Sequence, residues 1–250
     1  MNAEFRERRS GLVLPAVVTA AALLILLGLG TWQLQRKTEK EDLLARIASR
    51  VEAPPAPLPP AESWPQLDRL RDEYRRVRFN SEIAGGEEAL VYTSGSSFRP
   101  DVTAPGYWVF APARVSGGGI VLVNRGFVPE TLKDGKLRTR GQIAGPAEII
   151  GVMRWPEERG FFTPDADPAK NVFFLRDPAT LAAAKNWGPV APFYVEQEAP
   201  AAPGGYPRAG RVRPNLPNNH LQYAITWYGL ALVLVVIFAL WARGRTRKDA

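Results

Sequence analysis

Apolar and charged positions are unevenly spread along the chain. Residues 10–35, SGLVLPAVVTAAALLILLGLGTWQLQ, carry no charge at all. A bilayer core of about 30 Å is crossed by about 20 apolar helical residues, and this run supplies them. Pro15 falls in its first turns, where a missing N–H does least damage. A second apolar run, from about Leu221 to Ala242, is also long enough. The pattern predicts two terminal transmembrane helices, over residues 11–34 and 217–242.

Between them the period changes. KTEKEDLLARIASRV places Leu43, Leu44, Ile47 and Val51 at helical spacing, so a helical extension is expected over 35–52. APPAPLPP stops it, and residues 53–65 read as a stiff, proline-rich spacer. From 66 to 216 the chain reads as short strands. YRRVRFNSEI, ALVYTSG, GYWVFAPARV, GIVLVNRGFVP, AEIIGVMRW, NVFFLRD and PFYVEQ are β-branched and aromatic runs bounded by Gly and Pro. SGGG at 116–119 predicts a hairpin turn. DPATLAAAKN predicts one short helix, with Asp177 as N-cap and Pro178 at its first position. The expected fold class is membrane α+β: two terminal transmembrane helices flanking an antiparallel β-sandwich or barrel-like extracytoplasmic domain.

Charge sharpens the topology. The net charge is +7 and the sequence pI about 9.9, a balance that raises nucleic acid as a partner. Its location argues otherwise. Arg6, Arg8 and Arg9 lie at one end, and Arg243, Arg245, Arg247 and Lys248 at the other. Each cluster abuts an apolar run, so membrane lipid is the expected partner and nucleic acid is not. By the positive-inside rule, residues 1–10 and the basic tail 243–250 are cytoplasmic and the β-domain is periplasmic. Arg36, Lys37 and Lys40 weigh little against this, because long segments translocate largely regardless of charge. A cleavable signal peptide is the rival reading of the first span. Its core is long for that, and TWQLQRK stands where a small-residue cleavage site belongs. The apolar run starts almost at once, without a transit peptide, which points to a bacterial inner membrane.

The residue inventory narrows the chemistry. Without cysteine there are no disulfides, thiolate metal sites or cysteine nucleophiles. A single histidine rules out multi-histidine zinc sites. No nucleophile–base pair and no paired carboxylates stand out, so binding is expected rather than catalysis. Asp165, Asp167, Asn171 and Asp177 lack the spacing of a calcium loop and read as Asx turns.

Three places carry candidate chemistry. In PNNHLQYAITW, His220, Tyr223, Ala224 and Trp227 share a helical face. That face is either a capped helix start, with Asn218 or Asn219 as cap, or an aromatic wall headed by an imidazole able to ligate haem iron. In GLGTWQLQRK, Gly28 and Gly30 suit close helix packing and Trp32 suits an interfacial belt. Gln33, Gln35 and Arg36 are expected at the membrane level of His220. In VNRGFVP, Gly126 permits an unusual φ. Arg125 is there either a solvated strand end or a carboxylate partner.

These pieces, with RGFFTPDADPAKNVFFLRD, occur in an order that closely resembles the surfeit-locus family of cytochrome oxidase assembly factors. The resemblance runs from about Gly28 to Ala231 and leaves out the proline-rich spacer. It implies a bacterial inner-membrane factor that helps assemble a haem-copper cytochrome oxidase. Such a factor binds haem a and aids its delivery to the catalytic subunit I, with haem a synthase as a further partner. The family's histidine falls on His220, as haem-iron ligand. Its tryptophan falls on Trp32, and its RG-aromatic motif on Arg125, Gly126 and Phe127, where tryptophan is the usual third residue. The expected haem site is completed by Gln33, Arg36, Tyr223 and Trp227, with Arg125 from the β-domain. A scaffold that stabilises oxidase intermediates without touching haem is the alternative.

Overall fold

The structure, a computed structural model, describes residues 2–213 and 217–248, and side chains over 12–213 and 217–245. The side chains of Arg6, Arg8, Arg9, Arg247 and Lys248, on which much of the topology reading rests, lie outside the described residues. The chain divides into two compact units, Met1–Ala45 with Pro217–Ala250, and Arg46–Leu216.

The first unit is a helix pair. Helix α1 runs Asn2–Glu52, its last turns belonging to the second unit. The stretch Leu12–Glu52 and the helix that opens at His220 are both long and apolar enough to cross a membrane. On α1 the less exposed positions include Ala22, Leu26, Gly30, Gln33, Lys37 and Lys40. On the partner helix they are His220, Ala224, Trp227, Ala231 and Leu234. This three- and four-residue spacing is that of a coiled-coil seam. The helices run antiparallel, because Lys40 meets the Pro217 carbonyl, Gln33 meets His220 and Gly30 meets Tyr228.

Gly28 and Gly30 were both expected to pack, and only Gly30 does. A Cβ on Gly30 would come within 2.9 Å of the Tyr228 ring, whereas one on Gly28 would meet nothing within 4 Å. Positions two apart on a helix point in different directions.

The second unit is a β-barrel with additions. Its elements are β1 (Ala56–Pro57), the one-turn α2 (Arg69–Asp72), β2 (Arg76–Ile83), β3 (Ala89–Thr93), β4 (Gly106–Val115), β5 (Ile120–Pro129), β6 (Gly145–Arg154), β7 (Val172–Phe173), α3 (Pro178–Lys185) and β8 (Tyr194–Ala199). The helix of the first unit that follows is α4, His220–Lys248. Strands β2, β4, β5, β8 and β6 pair in that order, and β2 closes on β4 through Ser81–Ile83. A closed ring leaves few free edges, and a five-stranded Greek-key ring is the architecture of OB-type barrels.

The expected antiparallel character holds for most pairs, but the two-residue strands β1 and β7 lie parallel to β2 and β3, and within the ring β8 lies parallel to β5. A parallel neighbour needs a long crossover; here the chain leaves β5 at Pro129, passes through β6 and returns over residues 155–193 to β8. The predicted hairpin joins β4 and β5, with Arg114 opposite Ile120. Asp177 caps α3 by accepting from the Ala179 N–H. NVFFLRD is strand only over Val172–Phe173, and the spacer ends in a 3-10 turn over Ala61–Gln66.

Strands β4 and β5 are buried on both faces, which explains why they read as unbroken apolar runs. Ala111, Ala113, Val121, Val123, Phe79 and Met153 belong to one core cluster. Trp108, Phe110 and Leu122 belong to another, with Phe173, Leu181 and Trp187.

The barrel also buries charge. Arg154 donates to Glu73 (3.2 Å) and to Glu196 (3.3 Å), and Arg176 donates to Glu196 (2.8 Å) and Glu157 (2.9 Å). Burial alone would raise the Glu157 carboxyl, but the Arg176 charge and hydrogen bonds outweigh it and hold the group below its usual range. The Arg154 guanidinium lies 4.8 Å from the Tyr74 ring and 4.6 Å from the Phe98 ring. Tyr74 has φ 70°, a strained value for a bulky residue. The stack with Arg154 and Phe98 holds it there.

Candidate functional site: an imidazole with one free nitrogen

His220 opens α4, and its ring is only partly buried. Its backbone N–H donates to the Asn218 side-chain oxygen at 3.4 Å, a long bond, so Asn218 rather than Asn219 supplies the side-chain cap. Asn219 contributes its carbonyl, which accepts from the Tyr223 N–H at 3.2 Å. The imidazole Nδ1 lies 2.7 Å from the Gln33 side-chain oxygen. Nε2 has no hydrogen-bond partner among the described residues. An imidazole with one nitrogen held and the other open has the arrangement of a metal-ligating histidine.

The seam explains this pairing. Gln33 falls on the inward face of α1, while Gln35 and Arg36 are exposed. Further along the helix pair, the Thr31 and Tyr228 hydroxyls lie 3.1 Å apart. Sequence reasoning passed over both residues, and nothing in their spacing marks them.

The other expected site residues spread around the pair. Trp32 is 49% exposed and Tyr223 55%, so both face outward from the helices. Trp227 is half-buried, and its indole Nε1 is enclosed without an acceptor among the described residues. Ala224, between them on the helix, is fully packed into the seam. Arg36 is engaged by Glu39 at 2.6 Å, an exposed pair one turn apart. Such surface pairs are weak, and Arg36 remains available to an anionic ligand.

Arg125 belongs to the barrel unit, and the expectation that it is either solvated or a carboxylate partner resolves there. Its side chain is 3% exposed, because β5 is covered on both faces. It donates to the Gly141 carbonyl at 2.7 Å and lies 3.9 Å from Glu88. Arg138 grips the same carboxylate through two hydrogen bonds. Burial pulls the Arg125 pKa down, and Glu88 opposes the fall. Gly126 has φ +125°, and a Cβ there would collide with the Arg208 backbone. That backbone pairs with Phe127 through two hydrogen bonds. The RG-aromatic motif is thus a strand-crossing device in this fold. Glu88, its carboxylate, gave no signal in the sequence.

Comparison with known proteins places this geometry. The family model described as the SURF1 family matches residues 20–232. The chain belongs to the SURF1 family. That match takes in the Gln33–His220 pair, the outward aromatics and the RG-aromatic crossing together. Surfeit locus protein 1 of Rattus norvegicus is 34% identical over 231 residues, covering 88% of this chain and 72% of the relative. The Mus musculus protein of the same name is 36% identical over 213 residues, covering 81% and 67%. A SURF1-like protein of Monosiga brevicollis is 32% identical over 222 residues, covering 86% and 83%. The resemblance drawn from the sequence motifs therefore holds. With two helices fit to span a bilayer, this SURF1 family member is a membrane protein.

Proposed function

We propose that this chain is an assembly factor for a haem-copper cytochrome oxidase, one that holds haem a and aids its delivery to subunit I. The observation that carries the haem reading is the His220 imidazole, tethered at Nδ1 and with no partner for Nε2 among the described residues. A single axial bond from a neutral imidazole suits a cargo that must leave again. In this reading the exposed rings of Trp32 and Tyr223 and the half-buried ring of Trp227 would supply flat apolar surface to the haem. Arg36 would meet the propionates in place of Glu39. Haem a synthase and membrane lipid are the further partners in this reading. The orientation that goes with it has both termini in the cytoplasm and the barrel in the periplasm of a bacterial inner membrane. The chain binds and hands over rather than turning a substrate over.

A scaffold role without haem is the second reading. Phe161 and Phe162, 96% and 90% exposed at the tip of a barrel loop, favour a protein contact. One experiment separates the two. Protein purified from cells that make haem a is examined by absorption spectroscopy, with and without His220→Ala. Loss of the haem bands in the variant, with the oxidase subunit still co-purifying, is the expected result. Unchanged haem content would sink the ligand assignment and leave the scaffold.

A further inference from the structure

We infer that Gln33 is a positioning residue: its side-chain oxygen fixes His220 as the Nδ1–H tautomer and so directs the Nε2 lone pair outward as the metal-binding atom. The functional half of this inference rests on the haem reading above, but the tautomer does not.

The argument begins with donor and acceptor inventory. A neutral imidazole carries one proton, and its two nitrogens then differ in kind: one donates and one accepts. The atom facing Nδ1 at 2.7 Å is the amide oxygen of Gln33, which can only accept. The proton therefore sits on Nδ1, and Nε2 is left with its lone pair. Nothing among the described residues competes for Nε2. Left to itself an imidazole exchanges between tautomers, and the Nε2–H form cannot ligate through Nε2.

The position of Gln33 makes the restraint effective. It stands on the seam of α1, half-buried against α4, with Gly30 and Tyr228 in close contact one turn away. Two helices on a common seam hold side chains with little freedom. An orienting partner on the second nitrogen is the usual companion of a histidine that ligates metal, and it raises the ligand's basicity. Gln33 supplies it from another helix, so the iron-binding character of His220 depends on the helix pair being assembled.

Because His220 is the chain's only histidine, labelling histidine with nitrogen-15 gives one imidazole spectrum from the full chain. It is recorded on haem-free protein in detergent at alkaline pH. The expected wild-type spectrum has Nδ1 protonated and Nε2 bare. Gln33→Leu should lose that preference and show a mixture weighted to Nε2–H. Gln33→Glu, whose carboxylate also accepts, should restore Nδ1–H. A wild-type spectrum with the proton on Nε2, or an unchanged tautomer in Gln33→Leu, would overturn the inference. In the haem-loaded protein, Gln33→Glu should lower the iron midpoint potential and Gln33→Leu raise it, at equal haem content for Glu. Failure of the haem reading appears separately, as haem retained by His220→Ala.

Discussion

The barrel and the helix pair both enclose polar groups, and they use them in opposite ways. In the barrel nearly every buried charge is consumed by another: Arg154 and Arg176 share Glu196, Glu73 and Glu157, and Arg138 and Arg125 share Glu88. In the helix pair the imidazole is satisfied on one side only among the described residues. Such a network, with both ends engaged, has little capacity left for a ligand. A half-satisfied group in an apolar setting does have it, and ionisable groups at membrane depth are functional candidates by default. The contrast assigns stability to one region and binding to the other, and it can be broken from either side.

The largest effect is expected in the barrel. Arg154→Met removes a guanidinium that serves two carboxylates and two aromatic rings. It leaves Glu73 and Glu196 buried with too little positive charge. Removing one partner from a buried ion pair costs about 3–5 kcal/mol. Urea unfolding of the full chain, followed by near-UV circular dichroism, should show the midpoint fall accordingly. Arg154→Lys should recover little of it, because a point charge cannot span both carboxylates or stack as a plane. Haem content per folded molecule should stay unchanged. If the folded variant lost haem, barrel and helix pair would not be separable in function.

How much of this contrast was legible beforehand follows from the range of the interactions. Spans, hairpin, strand runs and the Asp177 cap are local, and short stretches of sequence carry them. The Arg154–Glu196 and Arg125–Glu88 contacts join residues far apart in the chain, and no spacing rule reaches them. Ring closure of β2 on β4 is of the same kind. The helix pair stands between these cases. The sequence puts His220 on one helical face with the WQLQ segment at its membrane level, and names Gln33 for the haem site, but not the direct bond between Gln33 and the imidazole. The seam register sets that bond. VNRGFVP leaves Arg125 two roles because it does not reveal that both faces of β5 are covered.

The middle effect tests that register. Gly30→Leu would drive a side chain into the Tyr228 ring, whereas Gly28→Leu points into open space. Overpacking a close contact costs about 1–3 kcal/mol, and an exposed change is usually within about 0.5 kcal/mol. The cysteine-free chain allows cysteines at Leu26 and Leu234, which line one groove between the helices. A short bifunctional thiol reagent should join them readily in Gly28→Leu and slowly in Gly30→Leu. Equal crosslinking in both would mean that the seam runs elsewhere, and the Gln33–His220 pairing would go with it.

The smallest effect comes from Trp227, where the two uses of polarity meet. Its indole N–H is enclosed in the helix pair with no acceptor among the described residues. An unsatisfied buried donor costs about 1–3 kcal/mol, so the group is either a defect in packing or a donor waiting for a ligand. The enclosure favours the first, since a ligand oxygen could not reach the nitrogen without parting the helices. Trp227→Phe removes the donor and keeps an aromatic face. The smaller ring gives back part of the gain, because a buried gap costs about 24 cal/mol per Å³. The expected net change is a stabilisation of under about 1 kcal/mol, read as a small rise in thermal midpoint, with haem content intact. A loss of haem comparable to that of His220→Ala would give the indole N–H a ligand acceptor. The helix pair would then hold its cargo by two polar contacts on one face, about two turns apart.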